Sequence, residues 1–309
     1  MKIALRVAAC ILVAPVVLFF GARGAILLAT KVLEHRYPPP GQMVDVAADR
    51  RLHLYCTGSG SPTIVLETGI GTDWISWRPL SSALAESHKV CVYDRAGYAW
   101  SDPGPMPRTA LATATDLHAM LANAPVAGPY LLVAHSFGGY IARMYASRYE
   151  DSLSGIVMVD PLQEEDGHAP NPGPRGLLAL LPPIGLDRLK RLYKGAAALP
   201  PDLKDAPEPY QDRFVFASSM AQLKSERNEF DSLPLSEQEL AGVQFPADVP
   251  LTVITAGHDP EHWRRQERLV HMSRLGAHVR AADSGHSVQQ FQPDIIMNAV
   301  EEMLKKTGS

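Results

Sequence analysis

The sequence predicts an α/β fold built on a parallel sheet, and three observations carry that prediction. From residue 43 onward, short β-branched runs alternate with stretches of helical periodicity, the pattern of strand–helix–strand units. The later runs (IVL, LLV, IVMV, TVI) are continuously apolar, as strands covered on both faces are. The first two runs are separated only by the turn at Ala48-Asp49, so they pair as an antiparallel hairpin at the sheet edge.

Taken in order, strands are expected over 43–46, 51–56, 63–67, 89–93, 130–134, 155–159, 251–256 and 278–282. Helices are expected over 76–86, 110–124, 137–149, 261–275 and 293–306. The interval from Leu162 to Asp248 breaks this rhythm. It is rich in proline, holds no strand-like run, and contains amphipathic pieces such as GLLALL, LDRLKRLY and FVFASSMAQL. A structureless loop of that length does not suit a compact domain, so 162–248 is read as a helical cap insertion. It divides the sheet-bearing body into 37–161 and 249–309.

Composition narrows the function. Of 309 residues, 46% are apolar and 20% charged, and 29 Lys and Arg against 33 Asp and Glu give a net charge of −4. That balance excludes wholesale disorder and supplies no basic face for nucleic acid. Three cysteines without a C-x-x-C spacing exclude a disulfide-dense miniature scaffold and suggest no zinc site. One local bias stands out. Residues 7–22 read VAACILVAPVVLFFGA without a charge, after Lys2 and Arg6, and GAILLAT follows Arg23. Segment 1–36 is therefore expected to be an N-terminal membrane anchor with the catalytic domain outside the cytoplasmic membrane. The alternatives are a secretory signal cleaved near Ala22-Arg23-Gly24, giving a secreted protein, or a buried N-terminal helix. Tyr37-Pro38-Pro39-Pro40-Gly41 is a stiff break between that segment and the folded body.

The chemistry centres on Ala134-His135-Ser136-Phe137-Gly138-Gly139. An apolar strand runs into Ser136, flanked two positions away by small residues, and then into a helix. This is the strand–turn–helix context of a nucleophile elbow, in which a tight turn leaves no room for large side chains and lifts the hydroxyl clear of the sheet. The same turn read structurally is a helix N-cap. Near the end of the chain, Asp283-Ser284-Gly285-His286-Ser287 places His286 after the last strand, where it is a candidate general base; His278, at a strand start, reads as structural. The base needs a carboxylate to hold its tautomer and stabilise the imidazolium. Asp259, after the penultimate strand, is preferred and Asp160, ending the strand after the nucleophile helix, is the alternative; each stands before a proline. For a developing oxyanion, the Phe137 N–H is expected to supply one donor and the Ile70 N–H, in the glycine-rich Glu67–Gly71 turn, a second, with a plain glycine turn the alternative there. Trp74, Trp77 and Trp100 fall in loops near this edge. Trp74 and Trp100 are candidates to line an apolar substrate pocket, with core packing the alternative.

These residues resemble the α/β-hydrolase superfamily, in particular cap-bearing serine hydrolases with an N-terminal apolar segment. The resemblance rests on AHSFGG at 134–139, YDRAGYAWSD at 93–102, LETGIG at 66–71 and SGH at 284–286, and covers about residues 41–306. It implies an eight-stranded, mostly parallel sheet with helices on both faces. It also implies a triad in the order Ser, Asp, His, carried by Ser136, Asp259 and His286, with Ile70 and Phe137 forming the oxyanion hole. Ala134 replaces the first elbow glycine, and Thr68 stands where many relatives have His. Relatives with an Asp nucleophile, the dehalogenases and epoxide hydrolases, are disfavoured because Ser136 holds that position. The fold also sets the strands bearing Cys56 and Cys91 side by side; they are either a disulfide, if the domain is extracytoplasmic, or two small buried residues. Cys10, in the apolar segment, reads as inert.

The expectation is a serine hydrolase acting on carboxylic esters with a small to medium hydrophobic acyl or alcohol group, without metal or organic cofactor. The alternatives keep the triad but cleave amides, peptides, thioesters or C–C bonds. A further alternative is a membrane-anchored binding protein on a hydrolase scaffold that has lost catalysis. The sequence assigns no oligomeric state.

Overall fold

The computed structural model describes residues 38–164 and 220–308, with isolated positions 14, 17, 20, 21 and 24 of the N-terminal segment. Two compact units divide the chain: Pro39–Gly173 with Met220–Ser309, and Met1–Pro38 with Pro174–Ser219. All elements below belong to the first. Among the described residues no helix is long and apolar enough to cross a membrane. The anchor expected over 1–36 lies almost wholly outside the described residues, as does most of the expected cap.

Eight strands form one sheet: β1 Gln42–Ala47, β2 Arg50–Thr57, β3 Thr63–Glu67, β4 Val90–Tyr93, β5 Tyr130–His135, β6 Leu153–Val159, β7 Leu251–Ala256 and β8 Gly276–Ala281. Their spatial order is β1-β2-β4-β3-β5-β6-β7-β8. The β1–β2 hairpin pairs Val44 with Leu52 and sits at the edge; β2 runs antiparallel to β4, and every other neighbour is parallel. The antiparallel β2–β4 register sets Cys56 opposite Cys91, and the two form a disulfide.

The helices are α1 Arg78–Leu84, α2 Ala110–Asn123, α3 Gly138–Tyr149, α4 Met220–Asp231, α5 Leu233–Ala241, α6 Pro260–Val270, α7 Val288–Phe291 and α8 Pro293–Thr307. On one face, Leu117 and Met120 of α2 and Ile141 and Met144 of α3 pack with Val65, Leu132 and Ile156 of the sheet. On the other, α8 lies along β6, buried through Ile296, Val300 and Met303. Leu233 and Leu240 of α5 join the first cluster, so these two helices from the interval read as cap are part of the compact unit that holds the sheet.

Two boundaries moved for local reasons. The helix expected to run to 275 stops at Val270 and β8 starts at Gly276. A side chain at Gly276 would meet the Val270 carbonyl oxygen at 2.2 Å, so only glycine lets the chain double back that tightly. The helix expected from 76 opens instead with a 3-10 turn, Trp74–Trp77, capped by Asp73, whose carboxylate accepts from the Ile75 N–H.

Candidate active site

β5 is buried along its whole length and runs directly into Ser136, whose φ of +55° is left-handed. That conformation costs a non-glycine residue about 1–2 kcal/mol. Complete burial of Leu131, Leu132 and Val133, at about 1.5–3 kcal/mol per side chain, outweighs it. Hydrogen bonds fix the turn as well. The Ser136 N–H donates to Val159 O at 3.1 Å, and the Ser136 carbonyl accepts from the N–H groups of Gly139 and Leu162. A Cβ at Gly138 would sit 2.9 Å from Glu67 Cγ, and one at Gly139 would sit 2.6 Å from Pro161 Cβ. The small residues after Ser136 are therefore demanded by the strand ends on either side.

The loop after β8 carries His286 back over this turn. Its Nε2 lies 3.0 Å from Ser136 Oγ, and its Nδ1 lies 2.6 Å from Asp160 Oδ2. Ser136 is half-buried and His286 exposed, so hydroxyl and ring face an accessible space. Asp160, directly after β6, is buried. Burial works against its charge, but hydrogen bonds from His262, His286 and the Ala256 N–H outweigh that and hold its carboxyl well below the usual carboxylate range. With the folded value depressed, this group stabilises the protein above the ordinary carboxylate pKa of about 4 and loses that contribution as pH falls below it.

The preference for Asp259 is corrected by this geometry. Asp259 is exposed and caps α6, its Oδ1 accepting from the Glu261 N–H at 2.9 Å, a bond that holds its carboxyl below the ordinary value. A carboxylate turned into its own helix start, with Pro260 as the first helical residue, is committed locally. Asp160 has no such local duty and points across to the ring. Sequence reading missed His262 entirely. Its Nε2 reaches Asp160 Oδ1 at 2.8 Å, so the carboxylate lies between two imidazoles. The one available signal was its place three residues into a helix that opens at the sheet's C-terminal edge.

His135 has a separate task. Its buried Nε2–H donates to the His286 carbonyl at 2.8 Å, tying the elbow to the loop that brings the ring. That leaves Nδ1 without a partner among the described residues. Burial, then the neighbouring His286, push its pKa down to about 4. Between about 4 and an unfolded value near 6.5, the unfolded chain binds more protons. Stability should therefore fall as pH drops through that window, by on the order of 3 kcal/mol from this group. His278, half-buried and also lowered to about 4, adds a smaller term of the same sign. Urea midpoints at pH 7 and 4.5 should converge in His135→Gln relative to the unaltered protein; equal slopes in the two would sink this account.

The turn after β3 closes the other side. A Cβ at Gly69 would lie 2.9 Å from His135 Nδ1 and 3.1 Å from Ser136 Cβ, so this backbone rests against the elbow. Among the described residues, neither the Ile70 nor the Phe137 N–H donates to an acceptor. The expectation for Trp74 needs correction. Trp74 is completely buried and packs with His53, Tyr55 and Trp100 at centroid distances of 5.0–6.0 Å, with His53 in turn bound to Asp94. Trp100 lies 5.0 Å from the same His53 ring. Trp74 therefore belongs to an aromatic cluster beside β2 and β4 instead of an open pocket wall, because a large apolar ring gains from full burial, whereas Trp100 packs on that cluster and stays half-buried. Trp77 is likewise buried, edge-on to His135. His278 stacks on Trp263 and bonds Thr255 Oγ1. No cluster of three or more His, Cys, Asp or Glu suited to a metal occurs among the described residues.

A hydroxyl on a strained turn, beside an imidazole backed by a carboxylate, is equipped to attack an acyl carbon, and comparison with known proteins places the fold that carries it. The family model described as "Alpha/beta hydrolase family" matches residues 64–298. The chain belongs to the alpha/beta hydrolase family. Within that family it is 36% identical over 104 residues to the uncharacterized protein YqjL of Bacillus subtilis (strain 168), covering 34% of this chain and 41% of YqjL. This alpha/beta hydrolase chain spans less than half the length of YqjL and of two further curated relatives, from Schizosaccharomyces pombe and Hormonema carpetanum. Among solved structures, a thermophilic esterase from Thermogutta terrifontis superposes with a TM-score of 0.60 at 20% identity, covering 87% of this chain and 99% of the esterase. Potato (Solanum tuberosum) epoxide hydrolase I gives 0.61 at 19%, covering 86% and 98%. At such identities the likeness is one of fold.

Proposed function

We propose that this chain is a serine hydrolase that cleaves carboxylic esters. The observation that carries the reading is the continuous line from Ser136 Oγ through His286 to Asp160, with contacts of 3.0 and 2.6 Å. In this reading His286 Nε2 takes the Ser136 proton as Oγ attacks the ester carbonyl. The tetrahedral oxyanion is met by the N–H groups of Ile70 and Phe137. The imidazolium, stabilised by Asp160, returns the proton to the departing alcohol and leaves an acyl-Ser136. Water, deprotonated by the same imidazole, then releases the acid and restores Ser136. Ser136 at the elbow favours this route over alkyl-enzyme chemistry, which needs a carboxylate there. The substrate class is a small to medium hydrophobic ester.

We place the catalytic body outside the cytoplasmic membrane, held by segment 1–36 or released by its cleavage. The apolar run there and the Cys56–Cys91 disulfide, which suits an oxidising compartment, support this placement.

A fluorophosphonate probe should label the full chain at Ser136, and a p-nitrophenyl ester series should be hydrolysed best at short to medium chain lengths. A protein that neither takes the label nor hydrolyses any member of the series would leave only a binding role. His262 supplies a finer check. Losing one hydrogen bond to a charged group, at about 1.5 kcal/mol, should cost His262→Ala roughly tenfold in kcat/KM, much of it recovered in His262→Gln. Unchanged kinetics in His262→Ala would show that the remaining donors orient Asp160 alone.

A further inference from the structure

The chemistry read at the elbow does not use one heavily bonded, buried group among the described residues. Arg95, two residues after β4, is buried to 1% exposure. Its Nε and Nη2 hold Glu229 of α4 in a two-point grip at 2.8 and 2.9 Å, and its Nη1 reaches Glu67 Oε1 at 2.9 Å. Two further bonds go to backbone: Nη1 to Thr68 O at 2.5 Å and Nη2 to Gly69 O at 2.9 Å. Tyr93 donates to Glu67, and Tyr98 Oη donates to Glu229 at 2.7 Å while accepting from the Gly71 N–H at 3.2 Å. Burying such a group of charges is costly and is weak support for stability alone. Its position suggests what it does.

We propose that Arg95, braced by Glu229 and Tyr98, is a positioning residue that sets the oxyanion-binding loop. The proposal rests on the serine-hydrolase reading and assigns the part of the chain that aims its oxyanion donors. The cis peptide bonds among the described residues all precede proline, so the peptide units at 68–70 are trans. In a trans unit the C=O and the following N–H point in opposite directions. One guanidinium drawing in the carbonyls of Thr68 and Gly69 therefore turns the N–H groups of Gly69 and Ile70 outward, away from Arg95. A fixed cation on the carbonyl side also polarises the peptide and strengthens its N–H as a donor. Phe137, the other donor, is held by the same cluster. Its ring centroid lies 5.8 Å from Arg95 Cζ, and Glu67 leaves no room for a side chain at the following Gly138, where a Cβ would lie 2.9 Å from Glu67 Cγ. The two donors are thus fixed from one buried centre, and the Tyr98–Gly71 bond closes the far end of the loop.

The test compares Arg95→Lys, Tyr98→Phe and a control, Arg108→Lys, in the full chain. Arg108 is a similarly buried cation paired with Asp116 at 2.7 Å, without a bond to the loop. Each variant is assayed for kcat and KM on p-nitrophenyl acetate and for inhibition by a trifluoromethyl ketone, whose adduct carries the oxyanion. Arg95→Lys should lose about 10²-fold in kcat with KM within about twofold, and its ketone affinity should weaken in parallel. Tyr98→Phe should lose roughly threefold to tenfold in the same pattern, and Arg108→Lys should keep kcat while melting lower. If Arg95→Lys does not fold, Tyr98→Phe decides: unchanged kcat and ketone affinity overturn the proposal. So does an Arg95→Lys loss no larger than that of Arg108→Lys. Wild-type protein that is neither labelled by a fluorophosphonate nor active sinks the hydrolase reading and this proposal together. A labelled, active wild type with unaffected variants sinks the proposal alone.

Discussion

Ser136→Ala should lower kcat/KM by about 10⁴ to 10⁶-fold, with the melting temperature unchanged or slightly raised. Alanine keeps the buried backbone contacts of the elbow, and the left-handed φ of +55° costs it no more than serine, so the loss is chemical. His286→Ala should fall to about the same level, because hydroxyl and imidazole act as one unit and removing either disables the other. The double variant should be little worse than either single one. Purified proteins assayed on p-nitrophenyl butyrate, with fluorophosphonate labelling alongside, check this. Activity in Ser136→Ala within tenfold of the unaltered protein would mean that the nucleophile is elsewhere.

Asp160→Asn should cost about 10³ to 10⁴-fold in kcat, whereas Asp259→Asn should stay within about twofold. Asparagine at 160 keeps the size of the side chain but loses the charge that stabilises an imidazolium, and its amide group can present a donor to His286 Nδ1 and select the wrong tautomer. The 2.6 Å contact to the ring and the 2.8 Å contact to His262 both address that carboxylate. At 259 asparagine is as good a helix cap as aspartate, and the side chain lies in solvent. Steady-state kinetics of the two variants read the contrast directly. Equal losses would show that this pairing does not carry turnover.

Much of the framework was legible before any coordinates. All eight strand positions were readable because each is a short run, β-branched or apolar in the central strands, bounded by turn residues, and the hairpin was readable because Ala48-Asp49 leaves no room for a crossover. Ser136 was marked by the small residues that its turn requires, and His286 by its glycine-bordered loop after the last strand. Each of these signals is local: the residue and the reason for it lie within a few positions of each other.

The acid was not legible in this way. Asp160 and Asp259 both follow parallel strands at the same edge and both precede proline, so the same Asp-Pro step leads to two different fates. Which of them meets the ring depends on the path of the loop after β8, set by packing between segments 126 positions apart. The tryptophans misled for a related reason. Their loop positions suggested a pocket, but Trp74 is completely buried against His53, and Trp100 stays half-buried beside the same ring. His262 carried only the weak signal of its place near the start of α6, and Arg95 carried none, since the partners of each come from distant elements, Asp160 after β6 and Glu229 of α4. His135 could have been noticed as the residue beside the elbow serine, although its bond to the His286 carbonyl could not.

By itself, then, the sequence determined the layered sheet, the elbow and the identity of the hydroxyl and imidazole, because backbone periodicity and steric demands of a tight turn are written over a few consecutive residues. Only the tertiary structure decided which carboxylate backs the ring, where the aromatic side chains lie and which cation grips the loop opposite Ser136. Those outcomes are competitions between distant side chains for one buried partner, and they are resolved by packing and desolvation in three dimensions.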